Sequence, residues 1–381
     1  MIIVADENMP ALDAMFGGHA EIRTYPGREI GPDQVGDAEI LLVRSVTRVD
    51  PALIEAAPRL KFVGTATIGF DHIDTRALEA RGISWSNAPG CNAEAVGEYV
   101  LTALLTLAER LGVPLKGRTL GVIGAGNTGS ATAARAAALG MRVLLNDPPK
   151  QRGGDPRAFV DLGTLLTQSD VVCCHVPLSR QGADATFHLL DAARLGLMKA
   201  NAWLVNACRG EVVDNGALIA HKRTHPECRL ILDVWEGEPN PMAELVALAE
   251  IATPHIAGYS VEAKLRGNWL LLSRLGETLA LDEVPPLTTY LPQAAISTLG
   301  LSAPAAQSDL ARVARLVYDI DAQDRRFREW SGQVGGFDRQ RKAHLERREF
   351  MSLTIVGPAE QAALWSQLGF NTRENLHGTG L

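Results

Sequence analysis

The stretch that decides the fold is GVIGAGNTG, residues 121–129, which contains the pattern G-x-G-x-x-G at Gly124, Gly126 and Gly129. It follows an apolar run over 119–123 and opens an alanine-rich segment, which is the order strand, tight turn, helix. In that order the first glycine permits the turn, the second lets backbone approach a pyrophosphate, and the third allows close packing of helix on strand. Glycines also serve ordinary turns, so the motif depends on this context. The stretch predicts a dinucleotide-binding unit.

The residues around the glycine loop specify the cofactor. The amides of Asn127 and Thr128 stand at the predicted helix start, where they can bind an anion. Asp147 ends the next predicted strand, at the roughly 20-residue spacing of a carboxylate that accepts hydrogen bonds from the adenosine ribose. Its charge would repel a 2′-phosphate, so we expect NAD rather than NADP. The alternative is that Asp147 only caps the turn at 148–149.

Further cofactor contacts are expected after later strands. Val176 would pack along the dinucleotide, and Asp233 is placed to accept a hydrogen bond from the nicotinamide carboxamide. His175, beside Val176, is interpreted as structural, because a histidine at a strand end usually is. The set of expected cofactor contacts is completed by Ala207, Cys208 and Gly258.

Composition limits the class of protein. A chain of 381 residues exceeds the usual size of one hydrophobic core, so we expect two or three domains. Its formal net charge is -7 without a basic stripe, which argues against nucleic acid as a partner. No apolar run has the length of a membrane span, so we expect a soluble, cytoplasmic protein. Five cysteines without paired spacing predict reduced thiols and no metal site.

Short apolar runs alternate with helical stretches up to about residue 273, the pattern of parallel sheets covered by helices. The predicted class is α/β, with two doubly wound parallel-sheet domains. The first domain has predicted strands over 2–5, 40–43, 62–64 and 83–85 and helices over 52–57 and 75–80. The second begins with a helix over 93–110 and has strands over 119–123, 142–146, 171–174, 202–205, 229–232 and 250–253.

The last third of the chain predicts a return and a new unit. A helix over 259–280 would carry the chain back to the first domain, which makes that domain discontinuous. A proline-marked turn at 282–286 then begins a C-terminal α+β domain. Its predicted elements are helices over 308–317, 338–348 and 359–368 and a strand over 352–356. The predicted domains are 1–92 with 259–281, 93–258, and 286–381.

Polar residues follow three successive predicted strands, at the edge where open α/β sheets bind ligands. Arg209 offers a planar fork that can bind a substrate carboxylate and polarise the C2 oxygen. His255 is the best general acid or base in the chain, and a neighbouring carboxylate would orient its ring and favour its protonated form. Spacing alone does not choose between Glu236 and Glu238 for that carboxylate. Each residue alone could be structural; together they predict hydride transfer from a 2-hydroxy acid.

These segments resemble the D-isomer-specific 2-hydroxyacid dehydrogenase family, whose catalytic arginine, glutamate and histidine match Arg209, Glu238 and His255 in order and motif. The resemblance selects Glu238 over Glu236. One branch of the family is similar over RSVT at 44–47, GTATIGFDH at 64–72, NAPGCN at 87–92 and HIAGYS at 255–260. The C-terminal dimerisation domain of that branch is similar over GFD at 336–338, LERRE at 345–349 and LGFN at 368–371.

The resemblance implies a homodimer that oxidises 4-phospho-D-erythronate with NAD, in vitamin B6 biosynthesis. It also selects Ser45, Thr67 and Tyr259 as substrate contacts. Loop hydroxyls at a ligand-binding edge suit a phosphate or polyhydroxy chain, although hydroxyls also stabilise turns. Two other functions stay open: a different D-2-hydroxyacid dehydrogenase, such as one for 3-phosphoglycerate, and a non-catalytic NAD-sensing corepressor on the same fold.

Overall fold

The computed structural model describes residues 1–276, 279, 283–343 and 347–374. The chain divides into two compact units, one formed by Met1–Asn92 with Val261–Pro292 and the other by Ala93–Ser260 with Gln293–Leu381. Each unit is built on parallel sheet covered by helices, which confirms the predicted α/β class. Within the described residues, no helix has the length and apolar character needed to cross a membrane.

The first unit contains a five-stranded sheet in which all neighbouring strands are parallel. Its strands are β1 (Ile2–Asp6), β2 (Glu21–Tyr25), β3 (Ile40–Val43), β4 (Phe62–Thr65) and β5 (Ser84–Ser86), in the order β2-β1-β3-β4-β5. β2 was not predicted, because it is an edge strand whose sequence EIRTY has no buried residue and hence no apolar run.

Short helices connect these strands. They are α1 (Leu12–Phe16), α2 (Pro32–Val35), α3 (Pro51–Glu55) and α4 (Thr75–Ala80). The aspartates that precede α3 and α4 cap them: Asp50 accepts a hydrogen bond from the amide of Leu53, and Asp74 accepts one from Ala77. The cap and the proline after it place the start of α3 one residue before the predicted helix over 52–57.

The second unit opens with the long helix α5 (Ala93–Leu111), followed by six parallel strands. The strands are β6 (Thr119–Ile123), β7 (Arg142–Asn146), β8 (Val171–Cys174), β9 (Trp203–Asn206), β10 (Arg229–Leu232) and β11 (Ile251–Ala252). The helices are α6 (Asn127–Ala138), α7 (Pro148–Arg152), α8 (Leu162–Gln168), α9 (Ala192–Leu195), α10 (Asn215–Thr224) and α11 (Ala243–Leu248). The strand order is β11-β10-β9-β8-β6-β7, so the chain adds β7 on one side of β6 and β8 to β11 on the other. The glycine loop after β6 therefore stands at the switch point, where such sheets bind ligands.

Helix α12 (Val261–Leu275) belongs to the first unit. Its Leu265, Leu271 and Leu272 are buried against Ile3 and other residues of the first sheet. The helix is shorter than predicted over 259–280: it begins at Val261, and residues 277, 278 and 280 lie outside the described residues. The discontinuous arrangement of the first unit follows from this packing.

The C-terminal region adds a three-stranded parallel sheet of β12 (Thr298–Gly300), β13 (Thr354–Gly357) and β14 (Asn371–Glu374). Its helices are α13 (Gln307–Val317), α14 (Ile320–Trp330), α15 (Gly336–Ala343) and α16 (Ala359–Leu368). The helix predicted over 338–348 ends at Ala343; residues 344–346 lie outside the described residues, and Arg347 and Arg348 are not helical. Leu310 and Trp365 share one hydrophobic core with α5 and the nucleotide sheet, so this region belongs to the second compact unit.

Candidate active site

The three glycines of the loop after β6 meet different steric demands. Gly124 has φ +91°, and a Cβ there would lie 2.7 Å from the carbonyl oxygen of His175. A Cβ on Gly129 would lie 1.9 Å from the carbonyl oxygen of Gly124. A Cβ on Gly126, at the N-cap of α6, would meet nothing within 4 Å, so its backbone faces open space. Backbone that is tight on two sides and open at the helix start fits a bound pyrophosphate.

Two charged residues brace this loop at Ala125. Asp147 accepts hydrogen bonds from the Ala125 amide at 2.9 Å through Oδ2 and from the Lys150 amide at 3.0 Å through Oδ1. Arg157 donates to the Ala125 carbonyl oxygen at 2.9 Å. Hydrogen bonds from Arg157 also lower the pKa of Asp155 to about 2. Asp147 therefore does cap the turn into α7, the alternative considered for it, and its carboxylate oxygens keep further lone pairs for a ribose.

Arg209 lies in the turn after β9. The Asn206 side chain closes this turn by donating to the Arg209 carbonyl oxygen at 2.9 Å. A Cβ on Gly210 would lie 2.0 Å from the carbonyl carbon of Trp235, so only glycine allows the turn to approach the loop after β10 this closely. The Arg209 guanidinium is exposed and donates to the Cys208 carbonyl oxygen at 2.6 Å through Nη1. Burial raises the pKa of the Cys208 thiol to about 11.

His255 and Glu238 form a hydrogen-bonded pair. The Nδ1 atom of His255 lies 2.8 Å from Oε2 of Glu238, and the other carboxylate oxygen accepts a hydrogen bond from the Trp235 amide at 2.9 Å. His255 has φ +59°, a strained conformation for a residue with a Cβ, and its amide donates to the Asp233 carbonyl oxygen at 2.6 Å. Within the described part of the chain, Nε2 of His255 makes no hydrogen bond, so the ring has one oriented nitrogen and one available nitrogen.

The loop that carries His255 is fixed by a buried aspartate. Asp233 has no exposed surface, and its carboxylate accepts hydrogen bonds from the Thr253 hydroxyl at 2.6 Å and from the amides of Ile256 and Ala257 at 2.8 and 2.9 Å. The Thr253 hydroxyl also lies 2.7 Å from that of Tyr99. This bracing was not predicted, because the residues are far apart in sequence and no motif links them. The carboxamide contact predicted for Asp233 stays a prediction.

Glu236 belongs to a different cluster. Its Oε1 atom lies 2.6 Å from Nε2 of His188, and its Oε2 atom accepts a hydrogen bond from the Asn215 amide at 2.9 Å. Asp214 approaches Nδ1 of the same histidine at 3.7 Å. His188, Asp214 and Glu236 are residue types that bind metals, and their ligand atoms lie within 4.8 Å of one another. Within this cluster His188 and Glu236 are hydrogen-bonded, whereas the contact of His188 with Asp214 is longer than a hydrogen bond. The structure therefore pairs Glu238, rather than Glu236, with His255.

His175 and Val176 follow β8. His175 is buried, with Nε2 3.0 Å from the Cys173 sulfur, and burial lowers the pKa of its imidazole to about 4. An imidazole that stays neutral in the interior agrees with a structural interpretation. Val176 is half-buried against the nucleotide-sheet core. The other expected cofactor contacts lie in turns, Ala207 after β9 and Gly258 after His255.

The expected substrate contacts are divided between the two units. Ser45 is exposed in the turn after β3. Thr67 follows β4, and its hydroxyl donates to the Gly69 carbonyl oxygen at 2.8 Å, so it does stabilise its own turn. Tyr259 belongs to the second unit, where its hydroxyl accepts a hydrogen bond from Arg341 at 2.7 Å.

Comparisons with known proteins identify relatives over nearly the whole chain. The family model described as the NAD-binding domain of D-isomer-specific 2-hydroxyacid dehydrogenases matches residues 101–257, and a domain of unknown function matches residues 290–369. A curated protein of Shewanella oneidensis named erythronate-4-phosphate dehydrogenase is 52% identical over 97% of this chain and 99% of its own length. A protein of the same name from Shewanella baltica strain OS185 is 49% identical over the same shares.

Solved structures agree at the level of the fold and the cofactor. The TT0316 protein of Thermus thermophilus is 30% identical, with a TM-score of 0.59 over 72% of this chain and 97% of its own. D-lactate dehydrogenase of Aquifex aeolicus, complexed with NAD and lactic acid, is 26% identical, with a TM-score of 0.58 over 74% of this chain and 96% of its own. The cofactor of this chain is NAD, as predicted. The chain belongs to the D-isomer-specific 2-hydroxyacid dehydrogenase family, within the group whose curated members are named erythronate-4-phosphate dehydrogenase.

Proposed function

We propose that this chain oxidises 4-phospho-D-erythronate at C2 to (R)-3-hydroxy-2-oxo-4-phosphooxybutanoate, in vitamin B6 biosynthesis. The observation that carries the chemistry is the 2.8 Å distance between Nδ1 of His255 and Oε2 of Glu238. The two residues follow β11 and β10, at the same edge of the sheet as Arg209, which follows β9. The choice of substrate is supported by the relatives named erythronate-4-phosphate dehydrogenase, which are about 50% identical to this chain over nearly its full length.

His255 is the proposed acid and base. Because Nδ1 faces Glu238, Nε2 is the nitrogen that accepts the C2 hydroxyl proton as the hydride leaves C2. The Glu238 carboxylate stabilises the imidazolium that forms, and the Trp235 amide holds this carboxylate in place. When bound, NAD supplies the chemistry of hydride acceptance.

Arg209 is the proposed substrate anchor. One of its terminal nitrogens bonds the neighbouring carbonyl oxygen, which aims the fork and leaves its other donors available. Those donors suit the C1 carboxylate and the C2 oxygen. At the C2 oxygen the positive charge of the guanidinium stabilises the negative charge that develops as the hydroxyl loses its proton.

The remaining roles are also proposals. The amides of Asn127 and Thr128 bind the pyrophosphate, Asp147 binds the ribose, and Ser45 and Thr67 contact substrate. The segments 1–92 and 259–281 bind substrate, 93–258 binds NAD, and 286–381 supports a homodimer. We propose a cytoplasmic enzyme.

The test is a steady-state assay of NAD reduction with 4-phospho-D-erythronate, D-3-phosphoglycerate and D-lactate. We expect the first substrate to have the highest kcat/KM, by at least roughly tenfold. Activity on D-3-phosphoglycerate alone would identify a different dehydrogenase. NAD binding without turnover of any hydroxy acid would support the corepressor.

A further inference from the structure

The C-terminal region holds the segment that follows His255. Arg347 donates to the Ala257 carbonyl oxygen at 2.9 Å, and the Ser260 hydroxyl donates to Glu349 at 2.8 Å. Arg347 and Glu349 are buried, so these contacts hold the Ala257 backbone and the Ser260 side chain in place. The end of the catalytic loop is therefore shaped by residues that lie about 90 positions later in the sequence.

Arg341, in the same region, contacts Tyr259. Its Nη2 atom donates to the Tyr259 hydroxyl at 2.7 Å. Its guanidinium carbon lies 5.3 Å from the centre of the Tyr259 ring and 5.9 Å from that of Phe337. Two aromatic faces therefore hold the cation in one orientation.

The charge of Arg341 is poorly compensated by the described residues. The carboxylate of Asp338 is 4.0 Å from Nη1, at the limit of an ion pair, and its side chain is 61% exposed. The Nε atom is buried, and none of the described residues accepts a hydrogen bond from it. A guanidinium has five N–H donors, and only one of those of Arg341 goes to Tyr259. A half-buried cation with spare donors suits an anionic ligand with several acceptor oxygens.

We propose that Arg341 binds the phosphate group of the substrate beside Tyr259, an inference that rests on the proposed function. The substrate has an anionic group at each end, a carboxylate at C1 and a phosphate at C4. Arg209 is assigned to the first. Arg341 supplies the second cation, because its bond to Tyr259 places it against the loop that carries His255. The C-terminal region then contributes directly to substrate specificity.

The experiment compares kcat/KM for 4-phospho-D-erythronate and for D-erythronate, which lacks only the phosphate. We expect Arg341→Gln to lower kcat/KM roughly 30- to 100-fold for the phosphorylated acid and less than about threefold for the other. Arg339→Gln is the control: Arg339 lies on the same helix, is exposed, and bonds Gln333 at 3.2 Å. It should change both values by less than about twofold.

Two results would overturn the inference. Equal losses on both acids would mean that Arg341 acts only by positioning Tyr259, and unchanged values would exclude it from the site. Arg341→Lys keeps the charge without the fork, so the preference for the phosphorylated acid should fall by an intermediate factor of about ten. If the Gln variant fails to bind NADH and is misfolded, an unchanged preference in the Lys variant overturns the inference. A wild-type protein without activity on 4-phospho-D-erythronate would instead refute the proposed function itself, and the inference with it.

Discussion

The described part of the chain includes two histidine–glutamate pairs that are alike in distance and exposure and differ in the contacts of the second ring nitrogen. The pairs His255–Glu238 and His188–Glu236 have separations of 2.8 and 2.6 Å, and their histidine side chains are 30% and 31% exposed. Each ring nitrogen of His188 faces a carboxylate, Asp214 at Nδ1 and Glu236 at Nε2. In His255 only Nδ1 is bonded among the described residues, and Nε2 is available. A proton carrier needs one oriented nitrogen and one that can reach substrate, so exposure and pairing alone do not identify it.

The largest expected effect separates the two histidines. His255→Gln should lower kcat roughly 10³-fold, because the variant loses the group proposed to accept the hydroxyl proton. His188→Gln should change kcat less than about threefold and act mainly on stability. Both values come from NAD reduction at saturating substrate. Equal losses in the two variants would remove the distinction between the pairs.

The next effect separates the two glutamates. Glu238→Gln keeps the shape of the side chain but removes the charge that stabilises the imidazolium, so kcat should fall roughly 10²-fold. Glu236→Gln, two positions away, should leave kcat within about threefold and reduce stability by about 1 kcal/mol, since its Oε2 atom holds the start of α10. Chemical denaturation measures the second quantity. A loss of kcat in the Glu236 variant as large as in the Glu238 variant would contradict the assignment.

A third carboxylate, that of Asp147, tests whether a group that already makes hydrogen bonds within the protein can also bind a ligand. Asp147 uses both oxygens internally, as Glu236 does, yet we propose that it binds the ribose. Asp147→Ala should raise KM for NAD about tenfold with little change in kcat. It should also weaken discrimination against NADP, because the negative charge is lost. An unchanged KM for both cofactors would leave Asp147 with its capping role alone.

The smallest effect on activity is expected for a third histidine, His175. Its pKa is about 4 in the folded protein, against 6.5 as its ordinary value, so the unfolded chain binds more protons between these two pH values. As pH falls through this window, His175 lowers stability by about 3 kcal/mol in total. His175→Asn should lose less stability than wild type from pH 6.5 to 4, measured by denaturation at each pH. Parallel curves would show that His175 does not titrate in this way.

Most strands of the second sheet were predictable because they are buried on both faces and read as unbroken apolar runs, as in Val171–Cys174. Two of the elements that were not predicted, β2 and α14, have the opposite character. β2 lies at a sheet edge, and α14, IDAQDRRFREW, is highly charged and buries only Ile320, Asp324 and Phe327. Such elements are stabilised by tertiary contacts that a local pattern does not contain.

The positions of candidate-site residues were predictable where these residues directly follow strands. The buried side chains that hold those residues in place were not predictable. The glycine loop and Arg209 each follow a strand whose end could be located in the sequence. Spacing could not separate Glu236 from Glu238, because two residues on one loop can face different partners. The bonds from Asp233 and from the C-terminal region to the His255 loop join distant parts of the chain. No local signal marks them.

The most direct test of hydride transfer from C2 uses 4-phospho-D-erythronate with deuterium at C2. After one turnover with excess enzyme, mass spectrometry of the reduced cofactor should show one deuterium per molecule, and His255→Gln should give the same product far more slowly. Unlabelled NADH, or labelled NADH formed at an unchanged rate by the His255 variant, would contradict the proposed chemistry.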